Sequence, residues 1–283
     1  MIYRSPYADI DIPNVSLPKH LFEHAAKYAH KAALIDGPTG RTVSYSQLVT
    51  AVRRTAAGLA DRGFGKGDVF AIYSPNIPEY AIAFFAVAAA GGINTTVNPL
   101  YTADELHRQL VDAHAKFLVT IPLFLDKAIA AAADTQIEEI FVFGSADGAT
   151  SFAAIAVDKD RLTDIDINPQ EDLVALPYSS GTTGLPKGVM LTHHNLVANL
   201  CQTHRVEQLS EQEVVIGILP FYHIYGMVVI MSGALRVGAT IVTMPRFDLE
   251  QFLELLQTHG VTTAYLVPPI VLALAKHPLV DDY

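Results

Sequence analysis

Eleven consecutive residues constrain this chain more than any others: Tyr178-Ser179-Ser180-Gly181-Thr182-Thr183-Gly184-Leu185-Pro186-Lys187-Gly188. Seven of the eleven are Gly, Ser or Thr, with one lysine and no acid. Glycines let backbone N–H groups approach an anion closely, and the hydroxyls add donors to the same surface. Lys187 brings a compact charge on a long stem, which suits a phosphate. Leu173–Pro177 before the run reads as a short buried strand, and Val189–Thr192 after it as another. A helix is expected from about His193, capped by Thr192 or Asn195. The pattern predicts a phosphate grip held between two strands.

A Walker A loop would need G-x-x-x-x-G-K-[ST] opening directly into a helix. Here Pro186 stands where its second glycine belongs, Gly188 replaces the metal-binding hydroxyl, and Val189-Met190-Leu191 is no helix start. A plain surface linker fits the composition, but linkers rarely join two apolar strands through a lysine placed directly after a proline.

The rest of the chain is built to bury. At 283 residues it can remove roughly three-quarters of its unfolded surface from water. Hydrophobic residues make up 51% and charged ones 17%, a globular composition. A net charge of −10 argues against a nucleic-acid partner, which demands a basic face. Cys201, the single cysteine, permits no internal disulfide and is expected as a packed thiol in a reducing compartment. No apolar signal segment follows Met1, and the apolar stretch Tyr80–Ala90 is too short to span a bilayer. A cytoplasmic location is the expectation.

In chain order, an extended arm (1–15) precedes a helix expected over Leu17–His30. Inside it, His20-Leu21-Phe22-Glu23-His24 matches a zinc-peptidase pattern, H-x-x-E-H. A surface or capping helix is the preferred reading, because no third ligand is evident. Ala32–Ile35 and Arg41–Tyr45 predict a hairpin, and Ser46 is expected to cap a helix to Arg62. Strands at 69–73, 93–97, 116–120 and 139–143 then alternate with helices at 77–90 and 103–113 and an Ala-rich helix within 121–150. Such alternation means α/β, a largely parallel sheet flanked by helices. Residues 147–170 read as a solvated connection carrying Asp158, Asp160, Asp164 and Asp166, without the glycine and glutamate of a calcium loop. Two lobes are therefore expected, 1–165 and 166–283. In the second, the strand 214–219 delivers His223 to a strand's carboxyl end, where α/β sheets bind ligands. A core histidine tied to a carbonyl is the competing reading. Strands at 240–244 and 263–267, helices to Leu235 and over 249–259, and a short helix to Lys276 complete the chain.

The loop Tyr178–Gly188 resembles the signature loop of the adenylate-forming acyl-CoA synthetases, the superfamily that includes 4-coumarate–CoA ligases and firefly luciferase. Ser74-Pro75-Asn76, Gly92 through Asn98-Pro99, Leu219-Pro220-Phe221-Tyr222-His223-Ile224-Tyr225-Gly226 and Val267-Pro268-Pro269 match in order and spacing. The resemblance implies ATP, Mg2+ and coenzyme A as cofactors and a carboxylic acid, fatty or aryl, as substrate. It places ATP phosphates on Ser179, Ser180, Gly181, Thr182, Thr183, Gly184 and Lys187, with Thr182, Thr183 and Lys187 bearing the leaving charge. Tyr222 and His223 become the floor of the acyl pocket, His223 touching the acyl-phosphate end, with Gly226 and Met227 beside the acyl chain. Arg246 either meets the coenzyme A nucleotide or is a solvated arginine. The apolar run after His223 favours a medium- or long-chain fatty acid over a hydroxycinnamate. The match covers the family's first half. The magnesium-binding glutamate, ribose-binding aspartate, hinge and C-terminal lid with its lysine are missing. The expectation is an N-terminal fragment, inactive by itself, of an acyl-CoA ligase. A carrier-loading or oxygen-using relative, or a nucleotide-binding module without turnover, are the alternatives.

Overall fold

The computed structural model describes residues 5–158, 165–179 and 186–283. In chain order its elements are α1 (Leu17–Phe22), β1 (Ala32–Asp36), β2 (Thr42–Ser44), α2 (Tyr45–Asp61), β3 (Val69–Tyr73), α3 (Pro78–Ala89), β4 (Ile93–Thr96) and α4 (Ala103–Asp112). Then follow β5 (Ala115–Thr120), α5 (Leu125–Ala132), β6 (Glu139–Val142), β7 (Thr150–Ser151), β8 (Leu173–Ser179), β9 (Lys187–Gly188), β10 (Leu191–Thr192) and α6 (His193–Glu207). The last are β11 (Val214–Gly217), a π-helix (Tyr225–Ser232), α7 (Gly233–Val237), β12 (Thr240–Thr243), α8 (Leu249–Thr258), β13 (Thr263–Ala264) and α9 (Pro268–Lys276).

Among the described residues the strands form two sheets, ordered β13-β11-β12-β1-β2 and β10-β8-β4-β3-β5-β6-β7, with β9 on β8. Every pairing is parallel except β1–β2, β8–β9 and β8–β10. The α/β expectation holds. Strands buried on both faces read as continuous apolar runs, as Val69–Tyr73 does. Helix α3 is apolar all round because it touches β1 of one sheet and β3 and β4 of the other.

The sheets do not divide at residue 165. The hairpin β1–β2 joins the second-half strands, with Leu34 opposite Ile241, and β8 joins the first-half strands, with Asn94 opposite Ala175. Local apolar pattern reports that a strand is buried, and it says nothing about its partner.

Two helix ends also differ from expectation. α2 is capped by Ser44, whose hydroxyl accepts from the Gln47 N–H while the Gln47 side chain accepts from the Ser44 N–H. α1 stops at Phe22 and a 3-10 turn follows over Ala25–Tyr28, so His20 and His24 do not share one helical face. His20 is buried and accepts from Arg236 Nε–H at 3.2 Å, with Cys201 Sγ at 3.8 Å, whereas His24 is exposed. Burial and then Arg236 lower the His20 pKa to about 4.

In the 147–170 connection, Asp158 pairs with Arg54 at 2.6 Å, and the Asp166 carbonyl accepts from Lys66. Asp160 and Asp164 lie outside the described residues. No helix of the described residues is long and apolar enough to cross a membrane.

Candidate active site

Ser179 ends β8, and Lys187 and Gly188 return antiparallel to it, with Tyr178 opposite Gly188 and Ser179 opposite Lys187. The two strands that frame the expected phosphate grip are therefore observed, paired antiparallel. Ser179 and Lys187 are exposed. Ser180, Gly181, Thr182, Thr183 and Gly184 lie outside the described residues. Gly188 is required by its cross-strand neighbour, since a Cβ there would stand 3.2 Å from Tyr178 ring atoms. The Tyr178 hydroxyl donates to Asp112 Oδ2 at 2.5 Å. Burial first, and then this carboxylate, push the phenol pKa up.

The second half of the site is the turn after β11. Asn76, 4% exposed, follows β3 and holds this turn from the opposite sheet. Its Nδ2 donates to the Gly217 and Leu219 carbonyls at 2.8 and 2.9 Å, and its Oδ1 accepts from the Phe221 N–H at 2.8 Å. Thr96, at the end of β4, donates its hydroxyl to the Tyr222 carbonyl at 2.8 Å. The same Thr96 stands in register with Pro177 of β8. One residue thus touches both the strand leading into the phosphate loop and the turn carrying Tyr222 and His223.

Around that turn, Phe221 packs edge-on against Tyr80 at 5.8 Å between ring centroids. The Tyr80 hydroxyl is buried without a hydrogen-bond partner among the described residues, and burial pushes its pKa far up. Tyr222 is half-buried, which raises its phenol pKa, and Tyr101 adds to the shift. His223 is exposed rather than packed in the core. Its Nδ1 accepts from the Tyr225 N–H at 3.3 Å, which puts the proton of a neutral ring on Nε2.

Two expected pocket residues have other duties. A Cβ on Gly226 would lie 2.1 Å from the Pro220 carbonyl oxygen, so this glycine permits a close backbone approach. Met227 is 0% exposed, inside the main core. Arg246 is exposed just beyond β12 and makes no hydrogen bond or ion pair with a described residue. Because Gly217 of β11 stands in register with Thr243 of β12, Arg246 leaves the same carboxyl edge as Tyr222. The strand ends thus bring Ser179, Lys187, Tyr222, His223 and Arg246 to the carboxyl edges of the two sheets, where parallel sheets take ligands. A cavity of about 820 Å³ between the N-terminal arm, α2 and residues 165–169 contains none of them.

With that geometry, the comparisons are decisive. The model of the AMP-binding enzyme family matches residues 21–282. This chain belongs to that family. It is 40% identical to 4-coumarate–CoA ligase 3 of Oryza sativa subsp. japonica, over 99% of this chain and 51% of the relative. It is equally 40% identical to 4-coumarate–CoA ligase 1 of Petroselinum crispum, over 100% and 53%. Among solved structures, a long-chain-fatty-acid–CoA ligase of Archaeoglobus fulgidus superposes with a TM-score of 0.88 at 25% identity, covering 98% of this chain and 57% of that one. ATP-bound MatB of Rhodopseudomonas palustris gives 0.82 at 31% identity, covering 94% and 52%. The chain spans about half the length of the curated relatives it matches. For this member of the family, Asn76, Thr96 and Asp112 are the site-shaping residues that motif reading passed over. Asn76 and Thr96 lie inside Ser74-Pro75-Asn76 and Gly92–Pro99, yet nothing local says which backbone groups they hold.

Proposed function

We propose that these residues form the phosphate-gripping and acid-facing half of an ATP-dependent, AMP-forming acyl-CoA ligase acting in the cytoplasm. The observation that carries this reading is the Thr96 bridge between β8 and the Tyr222 carbonyl, within a chain matched by the AMP-binding family along residues 21–282. In the reaction a carboxylate attacks the α-phosphorus of ATP and expels pyrophosphate, and the acyl-AMP then passes to the coenzyme A thiol. Two anions must meet while charge builds on the leaving oxygens, so positioned positive and hydrogen-bonding groups do most of the work. Lys187, with Ser179, Thr182 and Thr183, takes the leaving phosphates. Tyr222 and His223 face the acid, and Arg246 is free to meet the coenzyme A nucleotide. Among the described residues no cluster of three His, Cys, Asp or Glu side chains could hold a metal ion, so magnesium would enter with the ATP phosphates.

The choice of acid shifts with the structure. Gly226 is packed against the Pro220 carbonyl and Met227 lies in the core, which weakens the preference for a long apolar chain. The curated relatives are named for 4-coumarate, which becomes the first acid to test, against octanoate in the same panel. Because the chain spans half its relatives, the 283 residues alone are proposed to bind without turnover. Pyrophosphate exchange on them, beside the same residues completed with the remaining half of a curated relative, tests both statements. In the completed enzyme, Lys187→Ala should lower adenylation by roughly 10²–10³-fold and spare thioester formation from preformed acyl-AMP. Equal loss in both half-reactions would make Lys187 structural.

A further inference from the structure

The strand that carries Lys187 is weakly held by its own backbone. β9 is two residues long and pairs only with the end of β8; so short a ladder is marginal without side-chain support. The Val189 N–H, donating to the Pro177 carbonyl at 2.9 Å, adds one bond. Among the described residues the Tyr178 ring lies over Gly188 and adds side-chain support. Tyr178 packs half-buried against the cluster that holds Leu106 and Leu110, and its hydroxyl end reaches the surface, where a tether fixes the ring. That tether is Asp112, the last residue of α4, whose Oδ2 accepts the phenol proton.

Helix α4 is a firm post for the purpose. At its start Thr102 and Glu105 form a reciprocal capping box. Near its end Gln109 Nε2 donates to Thr95 Oγ1 at 2.9 Å and to the Thr96 carbonyl at 3.2 Å, both in β4 beside β8. An acid next to a phosphate loop is otherwise out of place, because its charge repels the ligand. Committed to the phenol, it has a mechanical reason to be there.

We propose that Asp112 is a positioning residue for Lys187, acting through Tyr178 and Gly188; this rests on Lys187 being the phosphate ligand. Without the carboxylate the ring leaves Gly188, the two-residue ladder frays, and the lysine must be ordered again each time a phosphate binds. An amide oxygen accepts the same phenol proton, so Asp112→Asn keeps the tether while deleting the charge.

The test measures hydrogen exchange at the Val189 amide and pyrophosphate affinity by calorimetry, on the 283-residue chain. Asp112→Ala and Tyr178→Phe should each speed exchange roughly five- to tenfold at an unchanged melting temperature. The double variant should go no further, and Asp112→Asn should match the parent. Pyrophosphate binding should weaken roughly three- to tenfold in Asp112→Ala and recover in Asp112→Asn. Unchanged Val189 exchange in Asp112→Ala, or additive effects in the double variant, overturns the proposal. If Asp112→Asn binds pyrophosphate more tightly while Asp112→Ala does too, the residue acts by charge and the proposal also fails. Faster exchange with no pyrophosphate binding by the parent chain overturns the phosphate reading of Lys187 and leaves Asp112 as the residue that sets β9.

Discussion

Asn76 satisfies three backbone groups of one turn with one side chain, two of them buried and the Leu219 carbonyl part-buried. Asn76→Ala would leave the Gly217 and Leu219 carbonyls and the Phe221 N–H without that partner, at a cost of roughly 2–4 kcal/mol. Asn76→Asp should be worse, since a carboxylate faces two carbonyl oxygens. Urea unfolding ranks the three proteins, and an alanine variant within experimental error of the parent would remove Asn76 from this role. The motif was legible in the sequence and the role was not, because the Gly217 carbonyl lies 141 residues away. His193 is the second residue whose burial has a measurable consequence. Its Nδ1 accepts from the Leu17 N–H at 3.1 Å, Nε2 has no partner among the described residues, and burial, opposed by Asp172, lowers its pKa to about 4. The unfolded imidazole protonates near 6.5 while the folded one resists to about 4. The contribution is therefore complete above pH 6.5 and lost as pH falls from 6.5 towards 4, on the order of 2–3 kcal/mol. His20, also lowered to about 4, adds to the same slope. His193→Asn keeps an acceptor for Leu17 without titrating, so urea unfolding between pH 7.5 and 4.5 should show a shallower fall. An unchanged slope would mean His193 titrates normally in the fold.

Among the elements, the π-helix that follows the turn after β11 was the least legible. An apolar run with no regular polar face announces burial, and the extra residue per turn leaves no mark in composition. The capping boxes were legible by rule: Ser44-x-x-Gln47 and Thr102-x-x-Glu105 both carry the S/T-x-x-E/Q spacing. A hairpin strand carried to Tyr45 places the cap at Ser46, whereas β2 stops at Ser44, which is the cap. Two glycines in one helical run offer a controlled comparison. Gly226 sits where a Cβ would overlap the Pro220 carbonyl, while a Cβ on Gly233 meets only the Val228 carbonyl oxygen at 3.4 Å. Gly226→Ala should therefore destabilise the protein by about 1–3 kcal/mol through forced displacement of the turn. Gly233→Ala, in ordinary helical geometry at φ −62°, should be neutral or stabilising by up to about 1 kcal/mol. Thermal unfolding of the pair reads both signs, and a tolerated Gly226→Ala would mean the Pro220 carbonyl gives way cheaply.

At the scale of the molecule, the chain crosses between its two sheets twice, and this is what holds the site together. β1 and β2 lie in one sheet, β3 to β10 in the other, and β11 to β13 return to the first. Strand β8 and the turn after β11 belong to different sheets, yet Asn76 and Thr96 hold the turn directly from the β8 side. Alternating strands and helices made the parallel α/β class legible, since period and length are local properties. Sheet membership was not, because the pairing of Leu34 with Ile241 is decided by which buried edges remain open once distant segments have formed. The interleaving makes an otherwise reasonable cut at residue 165 fail. Residues 1–165 alone would lose β12 from beside β1, where Ala33 and Leu34 are fully buried, and β8 from beside β4. Residues 166–283 would lose β1 from beside β12 and β4 from beside β8 in turn. The intact chain should therefore unfold in one step, with circular dichroism and tyrosine fluorescence giving coincident urea transitions. Each half produced separately should lack dispersed amide resonances and a cooperative melt. A half-chain that melts cooperatively on its own would show that one sheet closes without its borrowed strands, and the coupling between β8 and the turn after β11 would then have to rest on the Asn76 and Thr96 hydrogen bonds alone.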